Sequence, residues 1–102
     1  NTITTKTLDN MEFLHNWMVV HYNDKRYERG LQYSLINLVF GALRTIDITQ
    51  TRYDELVKQV SLSKLLKNGI ISIKTILILT TKLFGMGFGR MCLSLLYKRF
   101  YT

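Results

Sequence analysis

Apolar side chains recur at helical spacing along most of the chain, and residues that start or end helices bound each repeat. The first repeat follows a capping box made by Asp9 and Glu12. Its predicted buried face consists of Leu14, Trp17, Met18 and His21. The repeat fades in the charged segment 23–29, and Gly30 is the predicted terminator of this helix.

Two further amphipathic helices and a short helical turn are predicted in the middle of the chain. The second helix has one apolar face, formed by Leu31, Leu35, Leu38, Val39, Ala42 and Ile46. The third follows another capping box, Thr51 and Asp54. Its apolar face consists of Tyr53, Leu56, Val57 and Val60. Ser61 predicts the start of a short turn that closes at Asn68-Gly69.

Residues 70–84 fit either a strand or a helix. The run ISIKTILIL is rich in the branched residues that are typical of strands. A helix is the better interpretation, because the apolar residues then share one face while Lys74 and Thr81 lie off it. That face consists of Ile73, Leu77, Phe84 and Phe88.

A glycine-rich turn leads into the last predicted helix, because Gly85, Gly87 and Gly89 can adopt backbone angles closed to other residues. Arg90 stands at the head of that helix, whose apolar face consists of Phe88, Met91 and Leu95. Residues 1–102 are therefore predicted to form a single all-α domain, a compact bundle of five to six helices.

The net charge of +7 is divided unequally along the chain. Residues 1–55 hold six basic and seven acidic side chains, whereas residues 56–102 hold eight basic and no acidic ones. The basic charge of residues 56–102 is suited to binding nucleic acid, an anionic membrane or an acidic partner helix. The alternative is a solvated cationic face without a binding role. The longest uncharged stretch, residues 30–43, is shorter than the roughly 20 residues of a spanning helix.

Candidate catalytic or metal-binding residues are few. His15 and His21 are six residues apart and so face different sides of a helix, and with Cys92 they form no metal-ligand set. The glycine spacing at residues 85–89 lacks the preceding strand and the following lysine-serine pair of a phosphate loop. Cys92 is the only cysteine, so a reducing, intracellular compartment is expected. We expect no enzymatic activity, no metal and no cofactor.

The segment GFGR, residues 87–90, resembles the first homology motif of the Bcl-2 family, usually written NWGR. Gly87 and Phe88 stand where the family has Asn and Trp, and the Gly-Arg pair is retained. A cation fixed at the mouth of an apolar surface is suited to hold one carboxylate of an amphipathic helix.

A second segment, FGALRTIDITQTRYDE, resembles the family's third homology motif, called the death motif. It offers Asp47 followed by Arg52 and Tyr53, although the usual leucine position is not matched. The order of the two motifs and the 43 residues from Asp47 to Arg90 also agree with the family. Without the family, Asp47 is interpreted as a helix cap or as a local partner of Arg44.

The resemblance implies a Bcl-2-like bundle whose last helices have no counterpart in this chain. It implies a prosurvival-type apoptosis inhibitor, similar to divergent viral members, which binds the death-motif helix of pro-apoptotic Bcl-2 proteins in a hydrophobic groove. It also implies a cytoplasmic location, homodimerisation and association with the mitochondrial outer membrane. Binding to nucleic acid is not expected.

The resemblance further assigns seven binding residues. The groove walls would consist of Tyr53, Val57, Val60, Leu77 and Phe88. Arg90 would hold the partner's aspartate through two N–H groups of its guanidinium, and Gly89 would let the partner backbone approach closely. Without the family, the apolar members are expected in a helical core and Arg90 on the surface.

The basic second half also supports a different class of function. A small basic helical subunit of a membrane or ribonucleoprotein assembly would use the same cations and apolar helices at a headgroup or phosphate surface. Salt-dependent binding to RNA or to anionic vesicles, without affinity for peptides, would indicate this alternative.

Overall fold

Every regular element of the chain is helical in the computed structural model, which describes residues 3–101 and the side chains of residues 3–96. The helices are α1 (Thr5–His21), α2 (Glu28–Leu43), α3 (Gln50–Val57), α4 (Leu62–Lys67), α5 (Ile73–Phe84) and α6 (Met86–Tyr101). A 3₁₀ turn at Lys25–Tyr27 joins α1 to α2. The predicted all-α fold is therefore confirmed, and the described residues form six helices where five to six were predicted.

The α2 helix lies at the centre, because its last six residues, 38–43, are all buried and together cover every side of the helix. The buried residues are Leu35, Ile36, Leu38, Val39, Phe40, Gly41, Ala42 and Leu43. A helix that is apolar all round must be covered by other elements, and α1, α3, α5 and α6 all pack against it. The predicted face is confirmed at Leu35, Leu38, Val39 and Ala42, whereas Leu31 is half-buried. Ile46 is the exception, 61 % exposed, because the helix ends at Leu43.

The α1 helix begins earlier than its predicted capping box. Asp47 caps its N-terminus from across the chain, because its carboxylate accepts hydrogen bonds from Thr5 N and Thr5 Oγ1, both at 3.0 Å. Asp9 and Glu12 lie inside the helix, where both accept hydrogen bonds from Arg52 Nη2 on α3, at 2.6 and 3.2 Å. The predicted capping box is wrong, because the capping carboxylate lies 42 residues away.

The α1 face that was predicted to be buried is largely exposed. Leu14 and Trp17 are 57 % and 43 % exposed. The face that packs on α2 consists of Leu8, Met11, His15 and Met18. This helix carries two apolar stripes, and its position against α2 determines which one is buried. Gly30 does not terminate α1, which ends at His21; it lies in the first turn of α2.

The α3 helix begins two residues before its predicted capping box, which is therefore wrong. Thr49 caps it by accepting a hydrogen bond from Arg52 N at 3.2 Å, and neither Thr51 nor Asp54 takes part. The predicted apolar face is confirmed: it is buried at Tyr53, Leu56, Val57 and Val60.

Both ends of the α4 helix agree with the sequence. Ser61 caps its start, and Gly69, with φ of +67°, follows its end in a left-handed conformation that glycine adopts readily. Ile70 N donates to Leu65 O at 2.9 Å, which completes the glycine-type helix termination.

Residues 73–84 form the helix α5 as predicted, but a different face is buried. Leu77 is buried as predicted, whereas Ile73 and Phe84 are mostly exposed. Thr81, predicted to lie off the buried face, is buried. Its hydroxyl donates to Ile78 O at 2.7 Å, so a polar side chain is satisfied inside the core.

A single residue, Gly85, connects α5 to α6. Its φ of +94° is the left-handed value that favours glycine, whereas Gly87 and Gly89 lie within the helix α6. The predicted glycine-rich turn is thus confined to one residue. Within the described residues, none of the helices is both long enough and apolar enough to cross a bilayer.

The packing of α1 on α2 predicts a pH dependence of stability. His15 Nδ1 lies 2.8 Å from Ser34 Oγ, and burial lowers the pKa of His15 below the ordinary 6.5, although Glu12 acts in the opposite direction. Below pH 6.5 the unfolded chain takes up a proton that the folded chain does not. The free energy of unfolding should therefore decrease as the pH is lowered below 6.5. The decrease should end once the pH passes the lowered pKa of the folded state.

Urea unfolding from roughly pH 7.5 to 5 measures this dependence. His15→Gln should flatten the pH profile relative to the wild type, because it removes the buried imidazole. Identical profiles for His15→Gln and the wild type would contradict the assignment to His15.

Candidate functional site

The loop of residues 44–49, between α2 and α3, brings the two predicted motif segments together. Arg90 Nε donates to Leu43 O at 3.2 Å, and Arg90 Nη2 donates to Thr45 O. The last carbonyl groups of a helix have no partner within the helix and carry partial negative charge. Arg90 therefore serves as a half-buried cap for the C-terminus of α2, 45 to 47 residues away in sequence.

The same loop holds the N-terminal segment of the chain. Ile3 N donates to Arg44 O and Ile46 N donates to Ile3 O, both at 3.1 Å, which forms an isolated parallel bridge. Asp47 caps α1, so the plainer interpretation of this residue as a helix cap agrees with the structure. Its carboxylate is committed to Thr5 rather than to Arg44.

Gly89 lies where α6 approaches α5 and α2 most closely. A Cβ atom at this position would lie 2.0 Å from Thr81 Cγ2 and 3.2 Å from Leu43 Cδ1. The residue is buried, so its missing side chain admits neighbouring helices of the same chain. The predicted role in admitting a partner backbone needs correction, because this space is already filled.

Four of the predicted groove residues belong to the hydrophobic core. Tyr53, Val57, Val60 and Leu77 are at most 6 % exposed. The Tyr53 hydroxyl lies 2.6 Å from Thr81 Oγ1; since the Thr81 proton is donated to Ile78 O, Tyr53 is the donor. Burial raises the pKa of Tyr53, which keeps this donor protonated. A partner helix would reach these residues only if α3 and α5 separated.

Phe88 is the predicted wall residue that stays at the surface, 38 % exposed. Its ring lies 5.2 Å from the ring of Phe84, so the apolar stripe of α5 continues onto α6. We call this exposed surface the α5–α6 face; it consists of Ile73, Ile76, Leu83, Phe84, Phe88, Met91 and Leu95. The sequence predicts the apolar face of α6, but it places Ile73 and Phe84 of α5 on a buried face, and it gives no role to Ile76 and Leu83.

The α5–α6 face belongs to the half of the chain that has no acidic side chains. Lys74 Nζ lies 5.0 Å from the centre of the Phe40 ring, and Lys82 Nζ donates to Val60 O at 2.6 Å. In the part of the chain that the structure describes, no three His, Cys, Asp or Glu side chains gather as metal ligands do. These two lysines thus contact α2 and the segment after α3, and the α5–α6 face itself is an exposed apolar surface, which suits binding.

Comparisons of the chain with known protein families, with curated proteins and with solved structures returned no match.

Replacing Gly89 tests the close helix contact. Gly89→Ala should lower the free energy of unfolding by about 1–3 kcal/mol, because the added methyl group overlaps Thr81. Gly87→Ala is the matched control on the same helix, where a Cβ would meet nothing within 4 Å. Urea unfolding measures both variants, and equal stability of the two would show that α6 does not pack this closely.

Replacing Arg90 separates its capping role from the predicted clamp. Arg90→Ala should lower the free energy of unfolding by about 1–3 kcal/mol, because two carbonyl groups at the end of α2 lose a charged donor. Arg29→Ala, at an exposed position on α2, should change it by less than about 0.5 kcal/mol. Wild-type stability in Arg90→Ala, together with weaker binding of death-motif peptides, would instead favour the clamp.

Proposed function

We propose that this chain is a prosurvival-type binding module that holds the amphipathic death-motif helix of pro-apoptotic Bcl-2 proteins and so inhibits apoptosis. The observation that supports this most directly is the contact between the two motif segments. Arg90 caps α2 at Leu43 and Thr45, and Gly89 lies against Leu43. The two segments that resemble Bcl-2 motifs are 43 residues apart, counted from Asp47 to Arg90. Their contact in the fold supports the family resemblance more than either segment does alone.

The segment of this chain that resembles the death motif does not form one helix. This favours a chain that binds a partner's death-motif helix over a chain that offers its own. A ligand helix must present one continuous apolar face. Here the segment is interrupted by the 44–49 loop, and Asp47 is engaged by Thr5. Presenting it as a helix would break these hydrogen bonds and those of Arg90 to Leu43 and Thr45.

The α5–α6 face is the proposed binding site for the partner helix. Phe88, Met91 and Leu95 follow one another at intervals of three and four residues, which matches the anchor spacing of an amphipathic helix. The absence of acidic residues from 56 onward favours a partner that carries carboxylates. The two bonds of Arg90 use two of its five donors, so its guanidinium retains capacity for a carboxylate.

The proposal includes the partners that the resemblance implies, namely a second copy of the chain and the mitochondrial outer membrane, with a cytoplasmic location. It assigns no catalytic role to any residue.

A second candidate function rests on the same face. Among the side chains that the structure describes, seven large apolar ones are exposed on α5 and α6, in the half of the chain that carries eight basic residues. Such a surface can bind in the headgroup region of an anionic membrane. The chain would then be a small basic helical subunit of a membrane assembly. The exposed apolar side chains favour lipid over the ribonucleoprotein alternative, which needs cations alone.

Titration with labelled death-motif peptides tests the proposed function. Phe88→Ser should weaken binding by roughly ten- to a hundredfold, because a buried phenylalanine contributes about 1.5–3 kcal/mol. Phe13→Ser is the matched control, since Phe13 is 74 % exposed on α1 and should leave the affinity unchanged. Fluorescence anisotropy measures the affinity, and circular dichroism verifies the fold of each variant.

Flotation with vesicles of anionic or zwitterionic lipid discriminates between the two candidates. Peptide binding that depends on Phe88 supports the death-motif module. Salt-sensitive binding to anionic vesicles, in the absence of any peptide affinity, supports the membrane subunit instead. Failure of both assays would reject both functions.

A further inference from the structure

We propose that the short helix α4 and the turns beside it form a docking surface for an anionic lipid bilayer. We call this surface the α4 face; its exposed side chains are Lys58, Leu62, Lys64, Leu66, Lys67 and Ile71. Both candidate functions above use the α5–α6 face, with which the α4 face shares no residue. The inference therefore goes beyond them and does not depend on the resemblance to the Bcl-2 family.

The helix α4 turns most of its side chains outward. Leu65 is its only buried residue, and the other five residues of α4 are exposed. Leu62 and Leu66 are 52 % and 54 % exposed, and their spacing of four residues puts them on one side of the helix. Ile70 N donates to Leu65 O, which keeps Ile71, 65 % exposed, beside the last turn of α4. Three large aliphatic side chains thus stand in water around a helix of six residues.

Three lysines among these aliphatic side chains are available to an external anion. Lys58, Lys64 and Lys67 make no ion pair within the described contacts, in which every ion pair belongs to Arg26 or Arg52. Their own half of the chain, residues 56–102, holds no acidic side chain. Exposed lysines without carboxylate partners produce a positive potential that attracts a negatively charged surface.

The cleft beside α4 also contains acidic residues, but they do not cancel this charge. The cleft has a volume of about 520 Å³, and the charged residues that line it are Asp24, Lys25, Glu28, Lys64 and Lys67. Asp24 is already paired with Arg26 at 3.2 Å. Three ammonium groups therefore share the cleft with one carboxylate that is not paired within the described contacts, and this edge of the α4 face stays positive.

The composition of the α4 face favours lipid over protein or nucleic acid. Protein–protein interfaces are depleted in lysine and enriched in Tyr, Trp, Met and Arg, and residues 58–71 contain none of these four. A nucleic acid would use the lysines but would gain little from exposed leucine and isoleucine. An anionic bilayer uses both, because aliphatic side chains enter the headgroup boundary while lysines on flexible stems stay at the level of the phosphates.

Flotation of the intact chain with vesicles of phosphatidylcholine, with and without phosphatidylserine, tests the α4 face. Lys64→Gln together with Lys67→Gln should weaken binding to the anionic vesicles roughly thirtyfold, because two cations leave the surface. Leu66→Ser should weaken it roughly tenfold, because a large aliphatic side chain no longer leaves water.

A matched control keeps the net charge of the lysine variant but spares the α4 face. Lys6→Gln together with Arg29→Gln removes two cations from exposed positions on α1 and α2. This variant should keep its vesicle affinity within about twofold of the wild type, because screening by salt limits the reach of surface charges. Circular dichroism verifies the fold of every variant.

The outcomes separate the α4 face from other surfaces. Binding to anionic vesicles alone that weakens with salt and is reduced in both α4 variants supports the proposal, whether or not Phe88→Ser also reduces it. No vesicle binding, equal binding to both vesicles, retained binding in either α4 variant, or an equal loss in the control variant would overturn it. So would binding to an RNA oligonucleotide without binding to vesicles.

The peptide titration separates this inference from the proposed function. The two α4 variants should leave the affinity for death-motif peptides unchanged, since the α4 face and the α5–α6 face share no residue. Vesicle binding that is lost with Phe88→Ser and kept in both α4 variants would assign the membrane contact to the α5–α6 face and overturn the inference. Absence of peptide binding, with vesicle binding that depends on the α4 face, would reject the death-motif module and leave the inference standing.

Discussion

The end of α2 is the constraint on which the rest of the structure depends. The last carbonyl groups of a buried helix need hydrogen-bond donors from outside that helix. At the end of α2 these groups lie beside the 44–49 loop, which other elements surround. Arg90 supplies the donors from α6, Ile3 pairs with the loop backbone, and Asp47 returns a carboxylate to the start of α1. Satisfying one helix terminus thus fixes the positions of both the first and the last helix.

The chain holds more apolar side chains than its core can accept. Nearly half of its residues are hydrophobic, and α2 alone requires covering on every side. Once Leu8 and Leu77 are turned inward to cover it, the opposite apolar stripes of α1 and α5 remain at the surface. Exposed apolar area of this extent is typical of proteins that bind others. The α5–α6 face, the proposed binding surface for the partner helix, follows from this excess.

Local signals were sufficient to predict the number of helices, the limits of α4 and the helical state of α5. Ser61 and Gly69 act on adjacent backbone, so the sequence contains the whole interaction. The buried faces of α1 and α5 could not be predicted in this way, because each helix has two apolar stripes. The contacts of the predicted site residues were also beyond local signals: Gly89 and Arg90 look available in sequence, and only the packed structure shows Thr81 beside Gly89 and the Leu43 carbonyl bound to Arg90.

The contacts made by the 44–49 loop join residues that are 42 to 47 positions apart. Forming such a contact first requires the closure of a long loop, which costs conformational entropy before the contact contributes any favourable energy. Contacts of this kind therefore slow folding. A fragment that contains only one half of the chain would lack its partner across the loop and should not fold as an independent unit.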